Sequence, residues 1–237
     1  FYKTAQVVKE LGFDGVDINM GCPDKAVLKQ GAGASLIKNP TLAKEIMAAT
    51  KDGAKDLPLS VKTRIGDTKN ILDEWLPVLL SAKPAAITIH ARTRKEMSLV
   101  PAKWETVKQA AEIAKGSGTL VLGNGDVEDL DQAKKRVDET GCDGVMIGRG
   151  IFGNPWLFSG RKKEEIPLDE RLKVMLEHTF LFEELFHDIK SFDIMKKHYK
   201  AYANNFPGAS EMRTKMFNAK NAQEVADIVK QHFAIAV

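Results

Sequence analysis

Five short apolar runs rich in β-branched residues, each closed by polar residues and separated from the next by a helical stretch, leave few folds open to this chain of 237 residues. They are 15–20, 58–64, 86–91, 119–123 and 144–148. Short apolar strands alternating with helices pair in parallel through right-handed crossovers, as an open doubly wound sheet or a (β/α)8 barrel. The polar residues favour the barrel. Asp17 and Asn19, Lys62 and Arg64, and His90 and Arg92 are spaced two apart and therefore share a face, while Asn124 and Arg149 follow the last two runs. Polar groups that converge at the C-terminal ends of strands are the layout of a barrel active site. The prediction is an α/β fold, a TIM-type barrel over residues 1–160 holding about five of its eight strands. The chain opens on Phe1 inside a helical pattern rather than on a start methionine, so the expected cut lies within a longer chain, with about three strands missing at the N-terminus.

The helices between the runs carry their own punctuation. Asn39-Pro40 offers an N-cap and a first-turn proline before Leu42 and Ile46, and the repeat Leu130, Ala133, Val137 closes at Gly141. After Pro155 only helical periodicity remains. Leu172, Met175, Leu176, Thr179, Phe180 and Leu185 form an apolar stripe, Pro207-Gly208 reads as a turn, and a last helix is expected over 222–233. A small helical bundle over residues 168–237 is predicted.

Hydrophobic residues make up 43% and charged residues 28%, and no apolar run reaches the roughly 20 residues of a membrane helix, so a cytoplasmic protein with no membrane partner is expected. Cys22 and Cys142 lack metal-type spacing, which points to a reduced compartment and no metal site. A net charge of +3 does not single out a nucleic-acid binder. Its distribution says more: residues 190–220 carry seven Lys or Arg against two acids, whereas 161–189 carry five basic and eight acidic side chains. Phe192, His198, Tyr199, Tyr202 and Phe206 lie within the basic stretch, which suits an RNA backbone and unstacked bases or, alternatively, a helical core with a solvated cationic face.

Cys22 lies just beyond the first strand, between a glycine that lets the chain turn and a proline that stiffens it, and so is expected on the catalytic rim. Cys142 precedes its strand and belongs to the opposite, stabilising end. Lys62 could form a Schiff base, hold a phosphate, stabilise a reduced cofactor, or pair with Asp17. His90 adds an imidazole. Gly123-Asn124-Gly125-Asp126 and Gly148-Arg149-Gly150 follow consecutive strands, where barrels hold phosphate on backbone N–H groups.

Taken in order, Asp17-Ile18-Asn19-Met20-Gly21-Cys22-Pro23, Val61-Lys62-Thr63-Arg64, His90-Ala91-Arg92-Thr93, Gly123-Asn124-Gly125-Asp126 and Gly144-Val145-Met146-Ile147-Gly148-Arg149-Gly150 resemble the tRNA-dihydrouridine synthases. Lys197-His198-Tyr199 and the segment from Phe206 to Arg213 are similar to that family's helical domain. The resemblance implies FMN-dependent reduction of the C5–C6 bond of uridine in tRNA, with NADPH as electron donor and Cys22 protonating C5. It further implies that Asn19, Arg64 and Arg92 meet the substrate. Lys62, His90, Asn124, Gly125, Asp126, Gly148 and Arg149 would hold the flavin, and a monomer is expected. Competing readings are a Schiff-base aldolase or isomerase built on Lys62, a flavoprotein acting on a free pyrimidine, and an RNA-binding fragment without cofactor.

Overall fold

The computed structural model describes residues 1–234, so the last three positions of the expected 168–237 segment lie outside the described residues. In chain order the elements are α1 (Tyr2–Glu10), β1 (Val16–Met20), α2 (Lys25–Lys29), α3 (Pro40–Ala54), β2 (Leu59–Arg64), α4 (Leu72–Leu80), β3 (Ala86–His90), α5 (Trp104–Ala114), β4 (Leu120–Asn124), α6 (Leu130–Thr140), β5 (Gly144–Met146), α7 (Leu168–Phe186), α8 (Lys196–Tyr202), α9 (Ala209–Asn218) and α10 (Ala222–Ala234). The chain divides into two compact units, the first spanning Phe1–Gly148 and the second beginning at Arg149.

In the first unit, five parallel strands run in the order β1-β2-β3-β4-β5. This is the sheet that the alternating pattern predicted, and its arrangement is compatible with part of a barrel. Register explains the face each residue takes. Ile18, Val61, Ile87 and Val121 align across four strands, as do Met20, Thr63, Ile89 and Gly123. This face carries the helices: the Trp75 indole of α4 donates to Thr63 Oγ1 at 3.1 Å, and Trp75, Leu76 and Leu79 are all buried. Burying each such side chain stabilises the unit by about 1.5–3 kcal/mol. The other face aligns Asn19, Lys62, Thr88 and Leu122 in one row and Arg64, His90, Asn124 and Met146 in the next.

The helix punctuation has a structural counterpart. Asn39 Oδ1 accepts from Leu42 N–H at 3.2 Å at the start of α3, and Gly141 caps α6 in the left-handed conformation at φ 69°.

The second unit packs Leu172, Met175, Met195, Tyr199, Tyr202, Met212, Met216 and Val225 into one apolar cluster. Two expectations change. Residues after Gly148 join this unit rather than extending the first to residue 160, because Phe152 packs against His198 with ring centroids 5.3 Å apart and Lys163 Nζ donates to Ala201 O at 3.3 Å. Leu172, Met175 and Thr179 of the predicted stripe are buried, but Phe180 and Leu185 are exposed by 43% and 54%. Their positions drift off the buried face of a straight α7, as 3.6-residue periodicity requires.

Candidate active site

Cys22 lies two residues past the end of β1, at the C-terminal rim of the sheet, and is partly exposed. Its loop is held from both sides. Asn19 Oδ1 accepts from Gly21 N–H at 3.0 Å, Arg64 Nε donates to Gly21 O at 2.8 Å, and Ala34 N–H donates to Cys22 O at 3.0 Å. Asp24 caps the short α2 by accepting from Ala26 and Val27. Gly33 makes the closure possible: its φ is 60°, and a Cβ there would lie 2.8 Å from Cys22 O. Cys142 is buried before β5, its thiol donating to Gly144 O at 3.2 Å, at the opposite end of the strands.

Lys62 stands beside Asn19 on the open face. Asp17 is not its hydrogen-bonded partner, since Asp17 Oδ1 accepts from Ser60 Oγ at 2.6 Å. The Lys62 ammonium makes no hydrogen bond or ion pair among the described residues. Burial, then the neighbouring Arg64 charge, push it below the ordinary lysine value, while Asp17 pulls the other way. Asn19 has its oxygen engaged by Gly21 N–H, and its Nδ2 makes no hydrogen bond among the described residues.

Both rim arginines are buried and bind the protein itself. Besides Gly21 O, Arg64 donates through Nη1 to Thr93 O and Met97 O, each at 3.1 Å, so it fastens the Cys22 loop to the loop that follows β3. Arg92 donates through Nε to Val100 O at 2.5 Å, lies 3.3 Å from His90 Nε2 through Nη1, and pairs with Asp126 through Nη2. The loop they grip has its own brace. Glu96 accepts from Lys103 and from Thr93 N–H and Oγ1; Lys103, then the Thr93 donors, hold its carboxyl down to about 2 against burial. Asp67 joins Arg94 to Lys38 across the rim.

The two glycine motifs differ. In the first, Asn124 Oδ1 lies 2.8 Å from His90 Nδ1 and its Nδ2 donates to Met146 O, also at 2.8 Å. Gly125 adopts φ 128°, and a Cβ there would come within 2.8 Å of Ala102 Cβ, so this turn is shaped by close packing. Around Gly148, by contrast, a Cβ would meet nothing within 4 Å, which leaves its backbone approachable. Arg149 opens the short 3-10 turn Arg149–Ile151 of the second unit.

The basic stretch of the second unit also separates into classes. Tyr199 and Tyr202 are core residues, exposed by 0% and 4%. Lys196 pairs with Asp193 at 2.6 Å, Lys215 with Glu211 at 2.8 Å, and Arg213 Nη1 donates to Ala203 O at 2.7 Å. Lys197 lies 5.5 Å from the Phe152 ring, and His198 packs between Phe152 and His178. Lys190, Lys200 and Lys220 make no ion pair among the described residues.

Sequence reasoning brought Cys22, Asn19, Lys62 and His90 to one rim, but missed the bracing by Gly33, Thr93, Glu96 and the Val100 carbonyl. The run Gly31-Ala32-Gly33 was the available signal for Gly33. The carbonyl acceptors had none, because every residue carries one.

The chain matches a model of the dihydrouridine synthase family over residues 1–237. It is similar to a probable tRNA-dihydrouridine synthase of Staphylococcus aureus, 38% identical over 237 residues that cover 98% of this chain and 71% of the relative. A probable tRNA-dihydrouridine synthase 2 of Bacillus subtilis is 39% identical over 229 residues, covering 95% of this chain and 70% of its own length. A probable tRNA-dihydrouridine synthase of Staphylococcus epidermidis is 39% identical over 228 residues, covering 93% and 68% respectively.

Proposed function

The chain belongs to the dihydrouridine synthase family, and from that membership we propose that it reduces the C5–C6 bond of uridine in tRNA, using FMN, NADPH as electron donor, and Cys22 as proton donor. The carrying observation is the braced, partly exposed Cys22 on the same rim as an unpartnered, half-buried Lys62.

Uracil accepts hydride at C6 because the negative charge this leaves on C5 is spread into the C4 carbonyl as an enolate, which must then be protonated at C5. The Cys22 thiol, in its protonated form, supplies that proton. Bound FMN, once reduced by NADPH, would supply the hydride. The donor set suits an anionic flavin: Lys62 offers a cation with no carboxylate in contact among the described residues, and the open backbone at Gly148, with Arg149 next in the chain, would receive a ribityl phosphate. Asn19 offers Nδ2 to a uracil carbonyl while its oxygen keeps the Cys22 loop in place. Arg64 and Arg92 contribute positive charge to the rim and order its loops, while His90, Asn124, Gly125 and Asp126 would help hold the flavin. The second unit would hold tRNA through Lys190, Lys197, Lys200 and Lys220. Among the described residues no helix is long and apolar enough to cross a membrane. The proposed protein acts on tRNA as a cytoplasmic monomer.

Purification of the protein with a yellow FMN spectrum, weakened by Arg149→Ala, tests the cofactor reading. A stable, colourless protein that does not take up added FMN overturns it. The depressed pKa of Lys62 is equally what a Schiff-base lysine needs. Borohydride trapping of a carbonyl substrate on Lys62 would replace the flavin reading with that one.

A further inference from the structure

We propose that Asp126 and Arg92 are positioning residues that fix His90 as the neutral imidazole with its proton on Nδ1. Two independent contacts name the same tautomer. Asn124 Nδ2 donates to Met146 O at 2.8 Å, which leaves Oδ1 as the atom facing His90 Nδ1 at 2.8 Å; an acceptor at that distance requires a proton on Nδ1. Arg92 Nη1 cannot accept, so at 3.3 Å from His90 Nε2 it donates, and Nε2 must hold a lone pair.

Arg92 is in turn oriented from outside. Its Nε donates to Val100 O and its Nη2 to Asp126, whose Oδ2 also accepts from Ala102 N–H at 2.9 Å. The absence of a Cβ at Gly125 lets Ala102 close on this turn, and the Gly125 carbonyl accepts from the Trp104 indole at 3.0 Å. A relay thus runs from Asp126 through Arg92, His90 and Asn124 to the β5 backbone. The charges acting on His90 are those of Lys62 and Arg64 on β2 and of Arg92 itself, all opposing protonation, with Asp126 beyond Arg92. Burial is the largest influence, and with these charges it lowers the pKa of the imidazole to about 4.

The consequence rests on the uridine-reduction reading: the imidazole on the rim has no proton to give toward the substrate, so C5 protonation falls to Cys22. It also makes the positive charge on the rim, carried by Lys62 and the two arginines, independent of His90 across the neutral range.

The test reads the tautomer by long-range ¹H–¹⁵N NMR of the imidazoles in the protein without flavin or tRNA, with His90→Gln assigning the signal. The expected result is a protonated Nδ1 and a bare Nε2 from about pH 5.5 to about pH 8.5, where an unperturbed histidine would titrate. Asp126→Asn should release Arg92 and give a mixture of tautomers, and Asp126→Glu should restore the single form. A wild-type His90 that carries its proton on Nε2, or is charged near pH 6.5, overturns the proposal whether or not the Asp126 variants fold. So does a folded Asp126→Asn protein with the wild-type tautomer. Because neither flavin nor RNA enters the measurement, its failure and the failure of the functional reading are separate results.

Discussion

Burial, followed by the Arg64 charge and those of Lys62 and Arg92, brings His90 to about 4, against an ordinary value of 6.5, with the Asn124 bond only partly offsetting them. The unfolded chain therefore binds a proton that the folded chain refuses between these two values, and His90 lowers stability as pH falls through that window. His90→Gln, which cannot titrate, should flatten the fall in denaturant midpoint between about pH 6.5 and about pH 4; an unchanged slope would show that His90 is not held neutral. Cys142→Ser should keep its bond to Gly144 O and leave uridine reduction near the wild-type rate, with a small stability loss on circular dichroism melting. Both cysteines were legible in the sequence because position relative to a strand end fixes which end of the sheet they occupy. The rim arginines were legible only as rim residues. A substrate role was expected of them, but the donors of Arg64 and Arg92 are engaged by carbonyls of Gly21, Thr93, Met97 and Val100, whose positions depend on loop paths that spacing does not encode.

At the scale of elements, the Cys22 loop and the loop after β3 form one braced assembly through Arg64. Arg64→Ala removes donors from three carbonyls, and leaving a buried acceptor unsatisfied costs about 1–3 kcal/mol. Expected outcomes are a denaturation midpoint lowered accordingly and faster alkylation of Cys22 by iodoacetamide as the loop loosens. An unchanged alkylation rate in a destabilised protein would confine Arg64 to general packing. The strands themselves were readable to within a residue or two, since period-two alternation and parallel register dictate which side chains meet. β5 ends at Met146 rather than Gly148, its pairing with β4 finishing where Asn124 meets Met146. Late α7 differs from the expected stripe because Phe182, not Phe180 or Leu185, continues its buried face.

At the scale of the whole molecule, the helical unit tests the RNA reading. Lys196, Lys215 and Arg213 already have protein partners, so within residues 190–220 the cations with no ion pair among the described residues are Lys190, Lys197, Lys200 and Lys220. Charge reversal at Lys197 and Lys200 should weaken tRNA binding and lower the log-log salt slope by about 0.7–0.9 for each phosphate no longer neutralised. Reversal at Lys196 and Lys215 should leave that slope nearly unchanged. Equal effects from the two pairs would point to diffuse charge rather than a binding face. The interleaved aromatics were ambiguous in sequence because helical periodicity brings Tyr199 and Tyr202 inward while Lys200 between them faces solvent. The central claim is that reduction of tRNA uridine takes its proton from Cys22, and single turnover tests it most directly. Flavin-loaded protein, reduced beforehand, is mixed with unmodified tRNA while flavin reoxidation and dihydrouridine are followed together. With Cys22→Ala, flavin binding and reduction by NADPH should be unchanged while dihydrouridine forms roughly 10²–10⁴ times more slowly, the usual contribution of a positioned general acid; formation at the wild-type rate would contradict the account.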